Sequence, residues 1–286
     1  MAKPAYIKSP LNYTGGKYKL LPDLFPAFVP NVRRFVDLFA GGFNVGINVD
    51  AHEIYCNDRL IYVVELFEFL QGTLFNDILN GIYARIEEFA LTNTNEAGYN
   101  QFRAFYNENP HPLDLFILTC YAFNHQIRFN SRHEFNSSFG RERSAYNDSI
   151  ERNLISFCTA LKQKNIIFSA KDYLDFKFDS LEAGDFVYCD PPYHISTGPY
   201  NDGSRGFKDW TDAEEHTLLE LLDCLDENDI YFALSNVFYH KGDTNDILIK
   251  WSQKYNVTYL DKTYSNCSYQ FKEKGAKTVE VLVTNY

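Results

Sequence analysis

The residues best suited to chemistry in this chain are Asp190-Pro191-Pro192-Tyr193. They follow an apolar run, Asp185 to Cys189, that reads as a buried strand feeding a loop. Consecutive prolines have no N–H to donate and hold φ near one value, so the loop is stiff and the Pro191 carbonyl is free to point at a ligand. An aspartate, a main-chain carbonyl and an aromatic ring on a rigid strand-end loop suit an exocyclic amine. Two acceptors would hold the –NH2 while the ring stacks on the base. The same residues equally suit a strand-ending turn with a solvated Asp and a packed Tyr. Other stretches decide between the two.

Near the N-terminus, Asn12-Tyr13-Thr14-Gly15-Gly16-Lys17 sets paired glycines before a lysine. Such a turn permits close backbone approach to an anion, with the lysine as counter-charge. The GxxxxGK[ST] spacing of a Walker A loop is missing, and a structural turn is the simpler reading of this stretch alone. Next, Arg34 to Phe39 reads as a strand that breaks at Ala40-Gly41-Gly42-Phe43, and Val45, Ile47 and Val49 continue as a helix. Strand, glycine turn and helix open a nucleotide-binding βαβ unit. Without GxGxxG, a dinucleotide pyrophosphate is not indicated. A second strand, Glu53 to Asn57, ends at Asp58, about 20 residues beyond Asp37, where an acidic residue meets ribose hydroxyls in such folds. These features suggest a nucleoside ligand with a ribose diol and no pyrophosphate.

A third stretch, Asn124 to Asn136 and on through Arg143, alternates and turns at polar residues as a hairpin would. Arg128, Arg132, Arg141 and Arg143, interleaved with Asn and aromatic residues, could contact phosphates and read bases. A solvated polar hairpin is the plainer alternative.

The elements around these stretches form an alternating α/β pattern. Helical spacing runs from Leu60 to about Phe123, too long for an ordinary crossover, which implies an inserted helical domain. A helix over Ile150–Leu161 and a strand over Asn165–Ser169 lead to Asp172-Tyr173, a second acid–aromatic pair at a strand end. The segment 194–209, rich in Gly, Asn and Ser, reads as a flexible lid. Thr211 to Glu214 makes a capping box, and strands at 230–234, 257–260 and 279–283 complete the sheet.

With 286 residues, 25 Phe and 21 Tyr, the chain can bury a full core. A net charge of −11 argues against indiscriminate binding to phosphate polymers, so any nucleic-acid contact needs a local basic patch. The hairpin supplies one. The six cysteines are scattered, with no CxxC pair or adjacent His for a metal, as expected of free thiols in a reducing cytoplasm. No apolar run reaches membrane-spanning length. A soluble cytoplasmic monomer without a metal is expected.

Taken together, the TGGK turn, Phe35-Val36-Asp37-Leu38-Phe39-Ala40-Gly41-Gly42, Asn57-Asp58, the Asn-rich hairpin, Asp172-Tyr173, the Asp190–Tyr193 tetrad, Leu234-Ser235-Asn236 and Val283-Thr284-Asn285-Tyr286 resemble the Dam-type DNA adenine-N6 methyltransferases. The motif order, glycine turn, recognition insert and then tetrad, is that of the family's α group. The resemblance implies a Rossmann-like α/β methyltransferase sheet spanning 1–59 and 160–286. It further implies a mainly helical target-recognition domain with a β-hairpin over 60–159. It also implies S-adenosylmethionine as cofactor. Tyr13, Gly16 and Lys17 would line its methionine end, Asp37, Phe39, Gly41 and Gly42 would surround it, Asp58 would hold the ribose, and Asp172 with Tyr173 would take the adenine. Asp190, Pro191, Pro192 and Tyr193 would form the catalytic tetrad for an adenine flipped out of duplex DNA. His125, Gln126, Arg128, Asn130, Arg132, Asn136, Arg141 and Arg143 would face that DNA.

One departure bears on specificity. Family members that modify GATC usually carry Gly-Leu where His125-Gln126 stands, whereas Arg128, Asn130 and Phe135-Asn136 match. Arg reads guanine and Gln reads adenine bidentately, so Arg128 is expected to read a guanine in a short site other than plain GATC. Restriction–modification and phage systems are both settings for such an enzyme, the first alongside a cognate endonuclease. An RNA adenine or protein amide methyltransferase is a catalytic alternative, although those relatives more often carry Asn at the position of Asp190. A DNA-binding module that has lost catalysis is a non-enzymatic one. A nicotinamide dehydrogenase lacks support, for want of its glycine spacing and a catalytic His/Lys set.

Overall fold

The computed structural model describes residues 6–13, 15–195, 200–201, 207–208, 210–260 and 278–286. Its frame is an eight-stranded sheet. The strand order is β3 (Ile166–Ser169), β2 (Ala51–Asn57), β1 (Val32–Asp37), β4 (Phe186–Cys189), β7 (Tyr231–His240), β10 (Thr278–Thr284) and β9 (Asn256–Tyr259), with β8 (Asp243–Thr244) on β7. Neighbours from β3 to β7 are parallel, and β10 runs antiparallel to both β7 and β9. A separate two-stranded ribbon pairs β5 (Tyr200–Asn201) with β6 (Phe207–Lys208). Most of the expected lid at 194–209 lies outside the described residues.

This order fixes where a ligand can sit. From β1 the chain moves outward to β2 and β3, then returns to lay β4 on the other side of β1. Such a reversal leaves a crevice beyond the carboxyl ends of the two central strands. Asp37 ends β1 and Asp190 directly follows β4, so the two carboxylates flank it. Every residue of β4 is buried, as a central parallel strand covered on both faces must be. Its side chains alternate: Phe186 and Tyr188 join one hydrophobic cluster, Val187 and Cys189 the other.

The helix expected after the glycine turn is replaced by one 3-10 turn, Gly46–Asn48. The reason is tertiary. Asn44 Oδ1 accepts the Ser9 N–H at 3.0 Å, and Asn48 accepts the Ile7 N–H at 2.7 Å while donating to the Ile7 carbonyl at 2.8 Å. Asparagines engaged with backbone elsewhere compete with helix formation. These bonds lash the N-terminal segment across the turn, and so carry Tyr13 and Lys17 to the crevice. A short helix α1 (Leu21–Leu24), flanked by 3-10 turns, follows.

The span where a helical insert is expected holds α2 (Ile61–Gly72), α3 (Phe75–Glu88), α4 (Glu96–Glu108) and α5 (Pro112–Tyr121), and α6 (Asp148–Gln163) returns the chain to the sheet. Helix α5 is buried from Leu113 to Tyr121, which explains its apolar character on all sides. Phe67 of α2 packs 6.0 Å from Phe43 of the glycine turn and 5.4 Å from Phe157 of α6, so the insert's core is continuous with the sheet's. On the other face, α7 (Asp212–Glu227) opens with the expected capping box, Thr211 N donating to Glu214 Oε2 at 3.1 Å, and α8 (Asp246–Trp251) follows β7.

The expected hairpin at 124–143 is a hairpin-like loop held by isolated bridges, Phe129 to Phe135 and Ala122 to Phe139, without a continuous ladder. Side chains add to these backbone contacts. Asn107 of α4 accepts the Phe135 N–H at 2.8 Å and donates to its carbonyl at 3.1 Å, and Phe129 stacks on Tyr62 at 4.0 Å.

Candidate active site

Asp190 leaves β4 into the stiff Pro191-Pro192 loop, and its carboxylate is held from two sides. Lys17 Nζ lies 2.7 Å from Oδ2, and Tyr193 Oη donates to Oδ1 at 3.1 Å. The lysine also sits 5.0 Å from the centroid of the Tyr193 ring and donates to the Gly15 carbonyl at 3.1 Å. Burial raises the Asp190 pKa, while the Lys17 charge and the hydrogen bonds from Lys17 and Tyr193 pull it back. A partly buried aspartate with cationic and hydroxyl donors already in place is organised to accept N–H bonds.

Beside it, Asp37 is almost fully enclosed and accepts the Gly46 N–H at 2.9 Å. Burial pushes its pKa up to about 8, with the Asp190 and Asp58 charges adding to the effect and the Gly46 N–H and Lys17 opposing it. Asp58 accepts the Gly41 N–H at 2.7 Å and the Leu60 N–H at 2.8 Å, and burial raises its pKa too. Its carboxylate therefore braces the glycine turn from below.

The turn is shaped for Tyr13. Gly41 has φ +48, and a Cβ there would lie 2.9 Å from the Tyr13 ring; one at Gly42 would lie 3.0 Å from Tyr13 Cβ. Only glycine tolerates both the left-handed backbone and that approach. The Tyr13 hydroxyl is buried without a hydrogen-bond partner among the described residues. Such an orphan costs free energy unless something bonds it.

At the end of β3, Asp172 Oδ1 accepts the Leu174 N–H at 3.2 Å, and Arg59 Nε stands 3.9 Å from Oδ2. Tyr173 is buried in a ring cluster, 5.4 Å from Phe39 and 5.6 Å from Trp210. Across the crevice, a cleft lined by Tyr13, Lys17 and Tyr193 continues to Asn124 and Gln126 of the insert and to Glu280 of β10. There Asn12 Nδ2 donates to the Asn124 carbonyl at 3.3 Å.

Along the hairpin-like loop the predicted residues divide. Arg128 and Asn136 are exposed, and Arg128 has no side-chain partner among the described residues. Arg132 pairs with Glu134 at 2.9 Å, Arg141 with Glu96 at 2.5 Å, and Arg143 lies over Phe123 at 5.8 Å. His125 Nδ1 meets the Thr119 carbonyl at 3.1 Å. Asn130 is engaged within its own turn, accepting the Arg132 and Glu134 N–H groups and donating to Glu134 Oε2 at 2.7 Å.

Residues 13–274 match the family described as D12 class N6 adenine-specific DNA methyltransferase. The chain belongs to that family. Among its relatives are the type II methyltransferase M.FokI of Planomicrobium okeanokoites, 49% identical over 282 residues, and modification methylase StsI of Streptococcus sanguinis, 47% identical over 283 residues. These alignments cover 99% and 98% of the chain but 43% of each relative, so the chain spans less than half their length. The DNA adenine methylase of Escherichia coli strain K12 is 30% identical over 231 residues, 79% of both chains.

For a D12 methyltransferase, the arrangement gathers Tyr13, Gly16, Lys17, Asp37, Phe39, Gly41, Gly42, Asp58, Asp172, Tyr173 and the Asp190–Tyr193 tetrad along the carboxyl edge of β1 to β4. Sequence reasoning assigned Lys17 to the cofactor side and missed its contact with Asp190, which joins residues far apart in the chain. It also missed Trp210, one of the chain's two tryptophans, and the buried Glu215 beneath it. Rarity of tryptophan was the signal available. Among the described residues, no group of His, Cys, Asp and Glu could hold a metal ion, and no helix is long and apolar enough to cross a membrane.

Proposed function

We propose that this chain transfers a methyl group from S-adenosylmethionine to N6 of an adenine in a short duplex DNA sequence, with the target base flipped out. The observation that carries the reading is the partly buried Asp190 carboxylate at the sheet's switch point, held by Lys17 and Tyr193. Three features fit the cofactor: the orphaned Tyr13 hydroxyl, the close approach that only Gly41 and Gly42 permit, and the ring pair Phe39–Tyr173 beside Asp172. Tyr13, Gly16 and Lys17 would line the methionine end, Asp37 and the turn would flank it, Asp58 would take the ribose diol, and Asp172 with Tyr173 the adenine. When bound, S-adenosylmethionine supplies an electrophilic methyl group.

The chain's residues then act on the target base. Tyr193 offers its ring as a stacking platform, repaying part of the few kcal/mol lost on unstacking. Asp190 and the Pro191 carbonyl accept the N6 hydrogens, turning the amine lone pair out of conjugation and aiming it. The same acceptors stabilise the positive charge that develops on N6. The stiffness of Pro191-Pro192 keeps them in place during the reaction.

The span 60–159 would recognise the DNA and the rest of the chain would hold cofactor and chemistry. Arg128 would read a base, and His125, Gln126, Asn130, Arg132, Asn136, Arg141 and Arg143 would position the duplex. Relatives named as modification methylases support a place in a restriction–modification system, alongside a cognate endonuclease in the cytoplasm. The protein would act as a monomer.

The test is to incubate the pure protein with plasmid DNA and S-adenosylmethionine, then map N6-methyladenine by sequencing. Modification at one recurrent short sequence is expected, abolished by Asp190→Ala. Methylation of RNA but not DNA, or full activity of Asp190→Ala, would overturn the reading.

A further inference from the structure

Glu215 is completely enclosed, and its carboxylate is met by neutral donors from three parts of the fold. Trp210 Nε1 donates to Oε2 at 2.6 Å, Asn236 Nδ2 of β7 to Oε1 at 3.2 Å, and Asn245 Nδ2 at the cap of α8 to Oε1 at 2.9 Å. Burying a carboxylate without a cation is unfavourable, and an apolar side chain of similar volume would fill the site at less cost. The geometry shows what the carboxylate secures. It fixes the plane of the Trp210 indole, whose main chain is also held, with its carbonyl 3.1 Å from His194 Nδ1. The indole lies 5.6 Å from Tyr173 and 5.9 Å from Phe39, edge-on to the latter at 80°.

We propose that Trp210 is the third wall of the pocket for the cofactor's adenine, and that Glu215 is the positioning residue that sets its indole. This rests on the reading of the Phe39–Tyr173 site as an S-adenosylmethionine pocket. A ring pinned through its N–H presents one face to a purine and loses little freedom when the purine arrives. Releasing the N–H therefore weakens cofactor binding and spares the methyl-transfer step, because neither residue touches Asp190.

The two tryptophans of the chain make the test direct. Trp251 packs 4.8 Å from Tyr255 and 5.9 Å from Phe232 and donates to Asp223, so Trp251→Phe leaves Trp210 as the only indole. That variant is titrated with S-adenosylhomocysteine, following Trp210 emission and binding heat in parallel. A saturable emission change with the calorimetric Kd is expected. In Glu215→Gln and Trp210→Phe, KM for S-adenosylmethionine should rise about tenfold, the equivalent of one lost hydrogen bond, with kcat within about twofold of the parent. Should Glu215→Gln fail to fold, Trp210→Phe decides alone. Heat of binding without any change in Trp210 emission, or a fall in kcat at unchanged KM, overturns this inference and leaves the methyltransferase reading standing. No binding heat at all overturns both.

Discussion

Lys17 and Asp190 form an ion pair of 2.7 Å in the middle of the site, with the lysine also over the Tyr193 ring. The lysine thus engages both groups that the proposed reaction assigns to the target adenine, the carboxylate acceptor and the stacking face. Tyr193 Oη takes the other carboxylate oxygen. An incoming amine must displace one of these donors or use a remaining lone pair.

The pair has a consequence for pH. Burial raises the Asp190 pKa and the lysine is the chief force holding it down. Lys17→Met removes that restraint, so the carboxylate stays protonated to higher pH. In the proposed reaction the ionised form accepts N6–H, so the acidic limb of the kcat profile should move to higher pH. Methylation rates from pH 5 to 9 check this; an unmoved limb would show that another group controls it.

Tyr13 carries the second expectation. Its buried hydroxyl has no hydrogen-bond partner among the described residues. Tyr13→Phe should stabilise the folded chain by about 1 kcal/mol, since an unsatisfied polar atom is removed. If the hydroxyl bonds the cofactor, affinity for S-adenosylhomocysteine should fall about tenfold in the same variant. Thermal melting and calorimetry measure the two opposed effects; a variant that binds as well as the parent would leave the hydroxyl without a role.

How far the sequence foretold this arrangement depends on whether the forces were local. Strand β4 and its Pro-Pro loop were legible because an all-apolar run and fixed φ angles act within a few residues. The helix expected at Val45–Val49 was misread, because Asn44 and Asn48 spend their side chains on Ile7 and Ser9, far back in the chain. Strand β7 runs to His240, beyond its expected end at Leu234, because pairing with β10 continues to Thr278. The ring cluster of Phe39, Tyr173 and Trp210 assembles three distant segments, and no local spacing reveals it.

Asp37 should make stability and binding depend on pH. Burial pushes its carboxyl pKa up to about 8 in the folded chain, well above the ordinary carboxylate range. A raised carboxyl pKa means that the native state holds the proton where the unfolded state has lost it. Stability therefore falls as pH rises between about 4 and 8, and Asp37→Asn should flatten that slope by a few kcal/mol across the window. A cationic ligand beside Asp37 would favour its ionised form, so cofactor binding near pH 7 should release a proton. Binding enthalpies measured in buffers of different ionisation heat would reveal it; no buffer dependence would place the ligand's charge elsewhere.

Arg128 is the residue to test for sequence reading, because it is exposed and unpaired among the described residues whereas Arg132 and Arg141 are engaged with Glu134 and Glu96. A bidentate arginine–guanine contact is worth about 1–3 kcal/mol of discrimination at one base pair. Arg128→Ala should lose that amount at one position of the site and relax the choice of base there. Arg132→Ala should instead weaken all sequences alike and shallow the salt dependence of binding, as a phosphate contact does. Methylation rates on a set of single-substitution duplexes distinguish the two. Uniform loss for Arg128→Ala would reduce it to a backbone contact and move base reading to Gln126, which lines the cleft beside Tyr193.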